Sequence, residues 1–139
     1  GSNLNSANIS QSSLIECNLE SARLNQTNFE NSNLNQANLK SAYASGANFK
    51  DAFLIKAYFE NAFLIKANFA NAFLMEADLK NCYLMGADFE NASLYKADLR
   101  GAKGLTVEQL SKVKTLYLAK FDEEILQQIK TNLPELVGA

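Results

Sequence analysis

Histidine is absent from this 139-residue chain. That removes the commonest general base and the commonest metal ligand together. Tryptophan is absent as well. There is no Gly-rich phosphate loop and no Cys–His or Ser–His pair to activate a nucleophile. Neither sign of charge is in excess, since the formal net charge is −2, so nothing argues for nucleic acid or an anionic membrane as partner. No apolar run approaches the ~20 residues needed to span a bilayer. These absences together predict a non-enzymatic chain with no cofactor, no metal, no nucleic-acid partner and no membrane insertion. Apolar residues still make up 47% of the sequence, enough for a real core.

What fills the chain is a repeat of five. From Leu4 to Leu99 a bulky apolar centre recurs at every fifth residue, twenty times without insertion. All centres are Leu, Ile or Phe except Ala44. Two places before each centre stands a small residue, such as Ser2, Ala7, Cys17, Thr27 or Ala67. The place between is mostly Asn, Asp or an aromatic. A helix cannot use this period, because five steps of ~100° spread the centres around its axis. A long strand cannot either, because an odd period sends alternate centres to opposite faces. A short extended stretch can aim the small residue and the centre the same way. The two remaining residues then turn the chain. Those places hold Asn31, Asn61, Asn71, Asn81, Asn91, Gly46, Gly86 and Gly101, and Asn and Gly tolerate the positive φ of tight turns.

Short sides and repeated corners make a solenoid. Ala77-Asp78-Leu79, Ala87-Asp88-Phe89 and Ala97-Asp98-Leu99 match the A-(D/N)-L-x-x consensus, and residues 2–102 resemble the pentapeptide-repeat family. The resemblance implies an all-β solenoid: a right-handed quadrilateral β-helix with four units per coil. Twenty units then make about five coils, a tower of ~24 Å at the usual strand spacing. Residues twenty apart should stack. In support, Ile9, Phe29, Phe49, Phe69 and Phe89 fall on one wall, nearly all Phe, and Leu14, Leu34, Leu54, Leu74 and Leu94 on another, expected to lie opposite. Outside, Glu20, Lys40, Glu60, Lys80 and Arg100 form a column in which neighbours of opposite sign are expected to attract. Asn8, Asn28, Asn48 and Asn68 form another, ending at Asp88.

Two outward strips are apolar. One wall carries Tyr43, Phe63, Ile65, Tyr83 and Met85; the wall opposite carries Phe53, Ile55, Phe73, Met75 and Tyr95. Such strips either brace successive coils or mark a surface for a protein partner or for self-association. Cys17 and Cys82 occupy small inward places on different walls. More than three coils separate them, beyond the ~7 Å reach of a disulfide, so both are expected as buried free thiols.

The repeat stops at Ala102, which divides the chain into residues 1–102 and 103–139. Thr106 to Gln109 reads as a capping box, and Val107, Leu110, Val113, Leu116 and Tyr117 follow at helical spacing. Asp122-Glu123-Glu124 opens a second helix with Ile125, Leu126, Ile129 and Leu133 on its apolar face, ended by Pro134. Two short C-terminal α-helices are therefore expected over residues 105–137, as a lid on the last coil or else a dimerisation hairpin. The segment also resembles the helical tail of pentapeptide proteins from photosynthetic organisms. The first coil is polar and suits an end open to water, or continues a longer chain.

The functional expectation is a non-catalytic structural or protein-interaction module. Neither the repeated Gly-Gly of a calcium β-roll nor the Thr ladders of an ice-binding face are present; Thr27 is the array's sole Thr. The alternative from the resemblance is a DNA mimic that protects topoisomerases. That requires a strongly negative rod, and residues 2–102 hold ten acids against eight bases. Chains with this tail resemble proteins of the thylakoid lumen or periplasm. The missing initial Met fits a removed signal, and the cytoplasm is the alternative compartment.

Overall fold

Each quintet becomes one side of a four-sided coil because its two halves take different backbone conformations. A computed structural model of the chain describes residues 1–138. Ala139, the last residue of the expected C-terminal segment, lies outside the described residues. In every unit the residue two places after the centre has positive φ, from Ser6 at 60° to Gly101 at 75°. The N–H of the next small residue donates back to the carbonyl of the centre in nearly every corner, as Ala7 does to Leu4 (3.0 Å) and Ala62 to Phe59 (2.8 Å). A forward bond of three residues with positive φ at its third place describes a type II turn. Glu16, Lys56, Lys66 and Glu76 hold this conformation near 60° as firmly as Asn does. Left-handed backbone costs such residues about 1 kcal/mol each, so the ladder and core must keep them there.

The Asn or Asp before the centre has a local task. Its Oδ1 accepts the N–H two residues on: Asn28 from Glu30 (2.9 Å), Asn48 from Lys50 (3.0 Å), Asp88 from Glu90 (2.9 Å). This satisfies a corner amide that points along the wall rather than into the ladder. The ladder itself is parallel, with bridges between residues twenty apart from Asn3–Arg23 to Tyr83–Lys103.

Every centre from Leu24 to Leu99 is at most 1% exposed. Phe29, Phe49, Phe69 and Phe89 stack with ring centroids 5.0, 5.0 and 5.2 Å apart. The Leu wall adjoins this Phe wall rather than facing it, because successive units turn a single corner. The Phe wall faces Leu19, Leu39, Phe59, Leu79 and Leu99 instead, and Phe59 meets Phe49 and Phe69 edge-on at 5.7 and 5.9 Å. Polar side chains at small places are not orphaned. Thr27 and Ser32 donate their hydroxyls to Leu4 and Ile9 carbonyls (2.7 and 2.6 Å), and Cys82 Sγ bonds Phe59 O (2.9 Å) in the same register.

Both cysteines are free, but they differ. Cys17 is half-buried, not buried as expected, because among the described residues no coil packs below the first. The Cys82 thiol is pushed up to about 12 by burial. The fold holds it neutral, so ionisation favours the unfolded chain, and stability falls as pH rises beyond the ordinary thiol range. Burial raises the Cys17 thiol as well, but Cys17 is the more exposed, so at mildly alkaline pH it should alkylate first, with Cys82 protected until denaturant opens the coils. Mass spectrometry of the singly labelled chain checks this. Equal labelling of the two sites in the folded protein would contradict it.

The C-terminal segment departs from a plain two-helix lid. α1 (Val107–Leu110) is a single turn, closed by the expected capping box on Thr106 and Gln109. Val113, Leu116 and Tyr117 do not extend it. The chain returns to the coil, with bridges Ser93–Thr115 and Asp98–Lys120 at a register of twenty-two. Two residues have been inserted, α1 replaces one side, and a partial sixth coil results. Leu118 takes the corner conformation at φ 61°. α2 (Glu123–Asn132) and α3 (Pro134–Val137) then close the end, burying Ile129 and Leu133. Gln109 Nε2 donates to the Leu84 and Ala87 carbonyls (2.8 and 3.0 Å), Asp122 accepts from Gly101 N–H, and Leu116 N–H donates to Leu136 O (2.8 Å).

Candidate functional site

The two apolar strips occupy opposite walls of the tower. On the first, the bridge residues Tyr43, Phe63 and Tyr83 lie one above another with centroids 5.1 and 4.7 Å apart and rings within 6° of parallel. Lys103 continues the column, its Nζ 4.7 Å over the Tyr83 ring. On the opposite wall Phe53 and Phe73 stack at 4.9 Å. The coil repeat sets these distances, and they fall within the range of offset stacking. In such a stack the ring faces cover one another and the rims meet solvent.

Exposure separates the ten strip residues into two groups. Tyr43, Phe53, Phe73 and Met85 are exposed; Phe63, Ile65, Tyr83, Ile55, Met75 and Tyr95 are half-buried by their neighbours in the columns. The second group does more of the bracing, and the first presents more surface. The structure adds members that the sequence reading left out. Tyr117, on the sixth coil, stacks on Tyr95 at 6.0 Å. Tyr58, 44% exposed, stands between Asn38 and Asp78 on the wall of the charged column, with Lys40 Nζ 5.6 Å from its ring. It occupies the same place in its quintet as Tyr43 and Phe53, a signal that could have marked it. Leu118 is 50% exposed, at a corner that only the sixth coil creates.

The charged column behaves otherwise than expected. Glu20, Lys40, Glu60, Lys80 and Arg100 do not pair with one another up the wall. Lys80 reaches Asp78 (3.4 Å) and Arg100 reaches Asp98 (2.6 Å), each within its own quintet. The carboxylate two residues back is fixed by its corner bond, so it offers a nearer and better-held partner than the next rung. Burial works to raise the Asp98 carboxyl, but the Arg100 guanidinium beside it wins and holds it below its usual range. The Asn column does bond upward once, Asn48 Nδ2 to Asn28 Oδ1 (3.3 Å). Among the described residues no group of His, Cys, Asp and Glu is placed to hold a metal ion, and no helix is long and apolar enough to cross a membrane.

The likeness to solved structures extends over most of the chain. A pentapeptide repeat protein from the Arabidopsis thaliana thylakoid lumen superposes with a TM-score of 0.67 at 25% identity, covering 88% of this chain and 77% of that one. HetL, a pentapeptide repeat protein involved in heterocyst differentiation regulation from the cyanobacterium Nostoc, gives 0.50 at 27% identity, covering 85% of this chain and 63% of HetL. A second Nostoc pentapeptide repeat protein gives 0.63 at 23% identity, covering 76% of this chain and 84% of that one. No curated protein matches in sequence. The solved relatives are right-handed quadrilateral β-helices, and so is this tower. The family described as pentapeptide repeats (8 copies) matches residues 2–40, 45–81 and 74–103. On the period of five, the four-sided coil and that match over most of its length, the chain belongs to the pentapeptide repeat family.

Proposed function

We propose that the chain is a non-catalytic protein-interaction module whose opposite apolar walls seat a protein partner or a second copy of itself. One observation carries this reading: Tyr43, Phe53, Phe73 and Met85 remain exposed in register on a rigid ladder. Bracing alone needs the ring faces, not the exposed rims. Contiguous apolar surface held without entropy cost is what a partner can use most efficiently. Catalysis has no support, since His is absent and the Cys82 thiol is buried and held neutral. Duplex-DNA mimicry is not favoured either, because Lys80 and Arg100 neutralise the carboxylates nearest them. The likeness to a thylakoid-lumen protein supports the lumen or periplasm as compartment, which sequencing of the native N-terminus would test.

The experiment compares wild type with Phe63→Ser and Phe73→Ser. Sedimentation across concentration reads self-association, and pull-down from the source cell reads partners. A partner retained by wild type should lose about 5- to 30-fold in affinity when either wall is changed, since each truncated anchor removes roughly 1–2 kcal/mol. A partner indifferent to both substitutions, with the chain monomeric throughout, would remove the reading and leave only the fold.

A further inference from the structure

The two aromatic columns end differently. On the first wall the ring of Tyr83 is followed by Lys103, whose Nζ lies 4.7 Å from the ring centroid. On the opposite wall the bridge residue following Phe73 is Ser93, and Thr115 follows Ser93. A serine stands where the repeat has placed a ring on the two rungs before it. Two rungs of ~4.8 Å separate Phe73 from Thr115, which leaves space one ring thick above Phe73. A cavity of about 420 Å³ lies there, lined by Phe73, Met75, Ser93, Asn91, Lys114 and Thr115 among its walls.

We propose that this slot binds an aromatic side chain of a protein partner, which lies on Phe73 and completes the column. The proposal deepens the reading of the walls as a protein-binding surface and rests on it for the partner, though not for the slot. Each lining group suits a ring. Phe73 offers the face that Phe53 already uses from below, with centroids 4.9 Å apart and planes within 7°. Met75 flanks it with a polarisable thioether, favourable at a ring edge. Lys114 brings positive charge to the same cavity, where it can meet the ring's far face. Asn91 donates through Nδ2 to Asn71 Oδ1 (2.9 Å), which leaves its own carbonyl oxygen to accept from an indole N–H or a phenol. The slot is therefore suited to Trp or Tyr over Phe. A cationic side chain also covers ring faces, as Lys103 does, but here Lys114 and Asp51 line the same cavity with opposite charges, so its electrostatics do not favour a cation over a neutral ring.

The chain contains no Trp, so the fluorescence of added N-acetyl-tryptophanamide can be read without background. Its position is located by amide shifts in heteronuclear NMR. Saturable shifts are expected at Phe73, Ser93 and Thr115. Ser93→Phe fills the slot with the chain's own ring and should abolish them with the fold retained by circular dichroism. Phe73→Ala removes the floor and should do the same. Lys114→Gln should weaken binding about threefold, and N-acetyl-lysinamide should leave these amides unmoved. The proposal is overturned by the absence of saturable shifts up to the solubility of the probe. Binding that survives Ser93→Phe overturns it as well, and so does occupation of the slot by the lysine probe in place of the tryptophan one. The assay needs no partner, so its failure leaves the pull-down result untouched, and the reverse.

Discussion

Phe49→Ala is expected to lower the unfolding free energy by about 3–5 kcal/mol. Phe49 is fully buried, with Phe29 and Phe69 stacked 5.0 Å away on either side and Phe59 meeting it edge-on. Its coil also contains Ala44, the one small centre in the array, so no bulky neighbour is spare to fill the hole. The ladder holds the walls at a fixed separation, which prevents collapse and favours the upper part of the range. Domains of this size have only about 5–15 kcal/mol in total, so the variant should be close to unfolding at room temperature. Because each coil contacts only its neighbours, the loss should also loosen the coupling between the two ends and lower the denaturant slope. Urea titration followed by far-ultraviolet circular dichroism reads both. Phe49→Leu keeps most of the volume and should cost under about 1.5 kcal/mol. A midpoint unchanged by the alanine would mean that the ring is not where the stack places it.

Truncation after Ala102 is expected to turn a well-behaved chain into an aggregating one. The removed segment accepts hydrogen bonds from the N–H groups of Leu84, Asn91, Leu94, Lys96 and Leu99 through Lys103, Lys112, Thr115, Tyr117 and Lys120. Without it the fifth coil presents an open parallel edge above the apolar tops of Phe89, Leu94 and Leu99. Exposed edges of that kind pair with other chains. Five lost ladder bonds at about 1 kcal/mol each already make a large fraction of total stability, before any apolar area is counted. Light scattering and thermal unfolding of the truncated chain against the full one should show concentration-dependent association and a lower midpoint. Gln109→Ala is the graded control. It removes the bonds to the Leu84 and Ala87 carbonyls and the capping-box bond that Gln109 Oε1 accepts from Thr106 N–H (2.8 Å), and should cost about 2–3 kcal/mol without aggregation. A truncated chain that stayed monomeric and equally stable would show that the C-terminal segment is not a lid.

The sequence came closest to misleading at residues 113–121. Leu110, Val113, Leu116 and Tyr117 are spaced as a helix face would be, and that pattern hid a second one. Leu116 and Phe121 are five apart, with Ala119 two places before Phe121, so the quintet resumes in plain text. It was hard to see because α1 and its two extra residues had broken the phase. The choice between helix and coil was made by the open ladder above Ser93 and Asp98, which gains two bridges from the coil and none from a helix. A similar lesson applies to Lys80 and Arg100. Their column could be read from spacing alone, yet their partners Asp78 and Asp98 are set by corner bonds that only a folded wall supplies.

By itself the sequence determined the unit, the coil and the direction of nearly every side chain. A strict period of five with a small residue two before a bulky one calls for short sides and tight corners, and the family resemblance implies four sides to each coil. Residues twenty apart must then stack whatever their identity, so the strips at Tyr43, Phe63 and Tyr83 and at Phe53 and Phe73 could be written down in advance. Tertiary structure decided what depends on distances between rungs and on what covers an end. It set the sixth coil, the unequal exposure of the two cysteines and the empty rung above Phe73. Periodicity fixes where a side chain points, but what it meets there depends on neighbours twenty or more residues away.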